Sequence, residues 1–230
     1  MGRPRQRRRR RRLRHRDLEV AREAAAVVDG ARPVPLDGDD RFTAVCIAVP
    51  MGAVPAAIAA HADRATEAVF DVSGEMHDSV AALREHAGGR ERASFHPLFS
   101  AANAPGNVPV VVDRDGPVLR ELRATLAAAG NEVFETTPAE HDRAMETVQA
   151  GAHTAVLAYA LAADDVDPRF HTTLSAPLAE LVAEVAGNTP AVYADIQERF
   201  DGAEAVAEAA AALSAADRER YLELYDEADR

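Results

Sequence analysis

Three short segments hold the side chains best suited to acid–base chemistry or to binding a small polar ligand. They are Asp71-Val72-Ser73-Gly74, the run SFHPLFS at 94–100, and EHDRAMETVQAGAH at 140–153. The imidazole of His96 titrates near neutrality, so it can accept a proton at working pH. In the third segment Asp142, Glu146, Gln149 and His153 recur every three or four residues. At helical spacing they form one polar stripe on an otherwise Ala-, Val- and Met-rich helix. His141 lies off that stripe and is read as local, and Asp142 and Glu146 as structural. A metal shared by His141 and His153 is not expected, because twelve residues along a helix turn the two side chains about 120° apart. Cys46, the single cysteine, reads as a buried strand residue.

The elements that must position these segments follow from periodicity. Leu18–Val28 is amphipathic, with Gly30 as a stop. Phe42–Val49 is an uncharged apolar run, expected as a strand covered on both faces. Helix Val54–Ala62, strand Ala65–Val72, helix His77–His86, strand Ala93–Phe95, strand Pro109–Val112, helix Pro117–Ala129 and strand Glu132–Thr136 follow. This alternation predicts an α/β parallel sheet. Ligands of such sheets bind outside the carboxyl ends of the strands, where Asp71, Ser73 and His96 fall. Thr137-Pro138-x-Glu140 is a helix-start signal, and helices alone are expected from there to Arg230. The polar stripe would then close a cleft between the two parts.

Composition narrows the function classes. All 26 basic residues are arginine, and ten of them lie in residues 3–16. The other 16 face 38 acids, a net of −22. So acidic a body repels nucleic acid and anionic membrane, and its lysine-free, alanine-rich make-up resembles that of an extreme halophile. One cysteine, no apolar run of about 18 residues and no signal-like h-region predict a cytoplasmic protein with no membrane partner. The arginine run at 1–16 can be read as a nucleic-acid arm, as a charged tail, or as a frame error in GC-rich DNA. The abrupt change of composition at Asp17 favours the frame error.

FHPLF, EHDRAMETVQAGAH and GNTPAVYADIQ, in this order, resemble the prephenate dehydrogenases of tyrosine biosynthesis, over about Phe42 to Ala212. The resemblance implies an incomplete Rossmann-like domain over residues 1–137 and an all-helical substrate and dimerisation domain over 138–230. It implies oxidative decarboxylation of prephenate to 4-hydroxyphenylpyruvate, with NAD or NADP taking the hydride, in a homodimer. His96 maps onto the catalytic histidine, and Ser73, Gln149 and His153 onto substrate contacts. Gly2, Val49, Pro50 and Asp71 map onto the cofactor side. Two other readings stay open: a non-catalytic dimeric remnant without cofactor, and an arginine-armed nucleic-acid binder.

Three departures from the family pattern stand out. The usual serine position holds Gly74, with Ser73 one residue earlier. The usual substrate-carboxylate arginine position holds Glu184, which leaves Arg169 or Arg143 to supply the charge. No G-x-G-x-x-G turn is present, although such turns often end in Met-Gly, as Met1-Gly2 does.

Overall fold

The computed structural model describes residues 15–36 and 38–229. The chain forms two compact units, Met1–Asp40 and Arg41–Arg230. In the first, helix α1 spans His15–Ala26. The expected residue Gly2 and nearly all of the arginine run lie outside the described residues.

The second unit alternates strands and helices as its periodicity requires. Its strands are β1 (Phe42–Ile47), β2 (Ala65–Asp71), β3 (Glu91–Phe95), β4 (Asn107–Arg114) and β5 (Glu132–Glu135). Between them lie α2 (Val54–His61), α3 (His77–His86) and α4 (Pro117–Ala128). The strands form one sheet in the order β1-β2-β3-β4-β5. The pairs β1–β2, β2–β3 and β4–β5 are parallel, whereas β3–β4 is antiparallel. That one reversal has a simple cause. Residues 96–106 carry only one 3₁₀ turn, and a parallel crossover needs a dozen or more residues, usually with a helix.

The two faces of the sheet carry separate apolar layers. Ile47, Ala65 and Val69 pack with Val54 and Ile58 of α2 and Leu83 of α3. Ala93, Phe95, Val108 and Val110 pack with Leu119 of α4, and Phe70 meets Phe95 edge to face at 5.7 Å. Each fully buried aliphatic or aromatic side chain here contributes roughly 1.5–3 kcal/mol. Helix α4 is held to the sheet by Glu91 on β3, whose carboxylate accepts from the Val118 and Leu119 amides at the helix N-terminus.

The expectation that Phe42–Val49 is buried on both faces is corrected. Only Ile47 of β1 is buried, and Cys46 is exposed. Among the described residues β1 is an edge strand paired with β2 alone, and only Val45 and Ile47, on one of its faces, pack into an apolar layer.

From Pro138 onward the described chain is helical: α5 (Pro138–Met145), a π-helical turn (Glu146–Gly151), α6 (Ala152–Ala162), α7 (Ser175–Gly187), α8 (Pro190–Arg199), α9 (Ala203–Ala215) and α10 (Arg218–Ala228). Thr137 caps α5 by accepting from the Glu140 amide at 3.2 Å, with Pro138 next to it, as its sequence predicts. A small apolar cluster ties this helix to the sheet: Met51 after β1 and Leu98 after β3 meet Met145, Ala150, Ile196 and Phe200. Among the described residues no helix is long and apolar enough to cross a membrane, and no cluster of side chains suits a metal ion.

Candidate active site

The carboxyl ends of β1, β2 and β3 finish level, with Ile47 beside Asp71 and Asp71 beside Ser94. One residue past β3, the His96 amide donates to the Pro109 carbonyl at 3.0 Å, which fixes where its side chain leaves the sheet. Phe95, 1% exposed, anchors the preceding position in the core. The His96 imidazole is itself buried, at 8% exposure. Burial, then the charge of His141, push its pKa down to about 3, with Asp142 opposing, which corrects the expectation of titration near neutrality and leaves His96 neutral across the physiological range.

Beside it the loop after β2 is pinned by Asp71. The Asp71 Oδ2 accepts from the Ser73 amide at 3.0 Å and from the Ser94 hydroxyl at 3.2 Å. Asp71 is wholly buried, and its Oδ1 has no hydrogen-bond partner among the described residues. Burial pushes its pKa up to about 7 against the lowering effect of those hydrogen bonds. The Ser73 hydroxyl is buried and accepts from the Glu75 amide at 3.4 Å. At Gly74, by contrast, a β-carbon would stand 3.6 Å from His96 Nε2 and 2.9 Å from the Met51 sulfur. The position next to His96 Nε2 is therefore 74, and the Met51 sulfur already closes most of the room there.

Helix α5 brings the other side of the site. His141 Nε2 lies 2.9 Å from His96 Nδ1, and the two rings meet edge to face at 5.1 Å. His141 Nδ1 lies 2.7 Å from Asp142 Oδ1. Asp142 also accepts from the Met76 amide (Oδ1) and the His77 amide (Oδ2), each at 3.1 Å, and so ties α5 to the start of α3. Burial raises the Asp142 pKa, but the hydrogen bond from His141 and the two amides outweigh it and hold the carboxyl below its ordinary value. The reading of His141 as merely local is thus corrected. It is 2% exposed and sits behind His96. The signal available in the sequence was its place four residues before Met145, on the buried face of α5.

The polar stripe needs a similar correction. Glu146 is exposed, and the face turned to the site carries His141, Met145, Gln149 and His153, spaced by four. An α-helix rotates that spacing by about 40° every four residues. The π-turn at 146–151 has more residues per turn and takes back part of the rotation. It is supported from outside. Gln197 on α8 donates to the Ala150 carbonyl at 2.9 Å, and Gly202 packs so closely that a β-carbon there would overlap the Glu146 carbonyl. Gln149 Nε2 reaches to 3.4 Å from His96 Nε2, a long contact, while its Oε1 is buried without a partner among the described residues. His153 stacks edge to face on Tyr193 at 4.7 Å, burial lowers its pKa, and its buried Nδ1 likewise lacks a partner among the described residues. Gln149 Oε1, on the residue that reaches His96, and His153 Nδ1, on the ring beside Tyr193, are buried polar atoms of the kind a polar ligand would satisfy.

The remaining expected positions lie further out. Val49 and Pro50 are exposed just past β1, and Gly52 has open space around it. Glu184 is exposed and accepts from Asn103 at 2.8 Å. Asn188 links the Glu184 carbonyl to the Tyr193 hydroxyl. Arg169 is paired with Asp167 within its own loop, and Arg143 is exposed on α5.

No family model matches the chain. A 4-amino-4-deoxyprephenate dehydrogenase from Streptomyces pristinaespiralis is 33% identical over 216 residues, 84% of this chain and 71% of that protein. Among solved structures, prephenate dehydrogenase from Aquifex aeolicus matches with TM-score 0.66 at 16% identity, over 94% of this chain and 86% of that one. The same enzyme in complex with hydroxyphenyl propionate and NAD+ matches with TM-score 0.61 at 16% identity, over 84% and 73%. Synechocystis arogenate dehydrogenase matches with TM-score 0.52 at 16% identity, over 81% and 77%.

Proposed function

The chain belongs to the prephenate dehydrogenase family, and on that premise we propose that it oxidises and decarboxylates prephenate, with His96 as the proton acceptor. The observation that carries this reading is the buried, neutral His96 at the sheet's carboxyl edge, facing Gln149 and the backbone at Gly74. His96 takes the proton of the ring hydroxyl as the ring carbon gives up its hydride, and loss of carbon dioxide leaves an aromatic ring. Gln149 Oε1 and His153 Nδ1 have hydrogen-bonding capacity to spare for the substrate's polar groups. Ser73 shapes the loop beside it through Asp71 and Glu75.

NAD or NADP, when bound, supplies the hydride acceptor. The described residues fit its nicotinamide end: Val49, Pro50 and Gly52 leave an open surface where β1 ends. No glycine-rich turn for the pyrophosphate stands among the described residues. Asp71 acts from beneath, since it is wholly buried. The name of the Streptomyces relative supplies a second reading for the substrate, one in which an amine takes the place of the ring hydroxyl opposite the same imidazole.

Residues 138–230 are read as the helical half that pairs two copies into a homodimer. Helices α6, α7, α9 and α10 have no buried residue, and Leu161, Phe170 and Leu174 are 89%, 75% and 81% exposed. Apolar surface of this extent calls for a partner. The acidic body suits high salt in a cytoplasm.

The test is formation of reduced nicotinamide by the full chain at high salt with prephenate and NAD+ or NADP+. His96→Asn is expected to lower kcat by about 10²–10⁴. The reading is lost if prephenate, arogenate and 4-amino-4-deoxyprephenate all go unconsumed and calorimetry detects no dinucleotide binding. Sedimentation velocity checks the dimer.

A further inference from the structure

The proposed reaction uses His96 directly but leaves His141 and Asp142 unexplained. Both are well placed and bonded, and with His141 neutral they read in one direction. An ionised carboxylate accepts hydrogen bonds and donates none. Asp142 takes two backbone amides and His141 Nδ1, so in this arrangement the Nδ1 carries the hydrogen. In neutral His141 the Nε2 is then a bare lone pair. Its 2.9 Å contact with His96 Nδ1 closes only if His96 donates from Nδ1. Neutral His96 is left with a bare Nε2, the nitrogen that faces Gln149 and Gly74.

We propose that Asp142 and His141 are positioning residues that fix this tautomer of His96 and receive the proton that His96 takes. This rests on His96 being the proton acceptor of the proposed reaction. The step balances without any further reactant. The substrate proton binds His96 Nε2, the Nδ1 proton of His96 passes to His141 Nε2, and the Nδ1 proton of His141 stays against Asp142. One positive charge moves from a buried ring to a ring beside a carboxylate, and no electrons move. After product leaves, the same steps run backwards and His96 Nε2 releases the proton to solvent. Localising that charge on His96 alone is costly, since burial above all holds its pKa down to about 3. Glu75, in the loop just before α3, feels the charges of Asp142, Asp78 and Arg199 and belongs to the same electrostatic neighbourhood.

Nitrogen-15 NMR of the histidine rings in the full chain reads the tautomer without any substrate. Wild type is expected to show His96 protonated at Nδ1 and bare at Nε2. In Asp142→Asn the amide can donate to His141 Nδ1, so the chain reverses and His96 shifts to the Nε2–H form. With prephenate, kcat of that variant is expected to fall about 10³-fold with KM little changed, by analogy with the wrong-tautomer loss seen when a triad aspartate becomes asparagine. His141→Gln separates the two roles. Its amide oxygen can accept from His96 and its NH₂ can donate to Asp142, so the tautomer persists, but it cannot take a proton. The expected result is an unchanged His96 tautomer, kcat lower by about tenfold or more, and a changed pH profile. A wild-type His96 tautomer in Asp142→Asn, or wild-type kcat in His141→Gln, overturns the proposal. Should Asp142→Asn fail to fold, the wild-type spectrum and His141→Gln still decide. Full activity of His96→Asn would instead sink the reaction assignment and leave the tautomer result standing.

Discussion

Two carboxyl groups stand at the two borders of the site, Asp71 at the end of the sheet and Asp142 at the start of the helical stretch, and their environments drive them in opposite directions. Asp71 is fully buried with one oxygen bonded and the other without a partner among the described residues, and burial wins: its pKa rises to about 7. Asp142 has three donors on two oxygens, and the donors win: its pKa falls below the ordinary value. The number and placement of donors, rather than residue type, decide which carboxyl is a charge the site can use. The ionised one lies behind the histidines, and the one inclined to neutrality holds the loop that carries Ser73 and Gly74.

The largest effect expected from this contrast is on stability against pH. The folded pKa of Asp71 is raised, so its favourable contribution is full below the unfolded value near 4 and is lost as pH climbs to about 7. The loss is at most about 4 kcal/mol. Asp142 works with the opposite sign. Its depressed pKa gives stability that is present above about 4 and lost as the solution is acidified through the folded value. Urea unfolding of Asp71→Asn between pH 5 and 8 separates the two. The variant should lose most of the downward slope and overtake wild type at the alkaline end. A wild-type slope in the variant would break the comparison.

Next in size is His141→Ala, which strips Asp142 and His96 of their shared partner. Removing one member of a buried, hydrogen-bonded pair costs about 3 kcal/mol. The unfolding midpoint at neutral pH measures it. A loss under about 0.5 kcal/mol, the range of ordinary surface changes, would mean the chain behind His96 carries no strength.

How much of this was readable in the residues themselves depends on the range of the interaction. The strands were legible because FTAVCIAV and PVVV hold no charge, and the start of α5 because Thr137-Pro138-x-Glu140 is a local capping pattern. The helix His77–His86 matches its expected bounds. His96 and Gln149 stood out by residue type and spacing and took their roles from the resemblance, and they do meet. Asp142 was read as structural, as its bonds to the Met76 and His77 amides bear out, but its link to His96 through His141, read as local, comes from a partner 45 positions away, which no local period encodes. The π-turn was invisible for another reason: it rests on Gln197 and Gly202, outside its own segment, while the periodicity assumed an unbroken α-helix. The reversal at β4 likewise follows from the short connection at 96–106 rather than from the composition of the strand.

Gln149→Leu sharpens the contrast from the ligand side. Its Oε1 has no partner to lose among the described residues and its contact to His96 is long, so the apolar replacement should leave stability within about 1 kcal/mol of wild type. The cost should instead fall on substrate, as a drop of about tenfold or more in kcat/KM, the scale of one lost hydrogen bond in a dry site. Paired unfolding and steady-state measurements decide it. A large loss of stability with unchanged kcat/KM would make Gln149 a structural residue.

The smallest change tests the room beside His96 Nε2. At Gly74 an added methyl would sit 3.6 Å from His96 Nε2, an ordinary contact, and 2.9 Å from the sulfur of Met51, the far end of a flexible side chain that can move aside. No positive φ is involved, so the backbone accepts alanine without strain. Gly74→Ala should therefore change stability by less than about 1 kcal/mol. If the substrate hydroxyl occupies that space, the methyl excludes it, KM rises several-fold, and the His96 tautomer stays as in wild type. Gly74→Ser goes further, because its hydroxyl can donate to the bare nitrogen and compete with substrate for the lone pair. An alanine variant with wild-type KM would place the reacting group elsewhere around His96, and the side facing Gln149 would be the one left to examine.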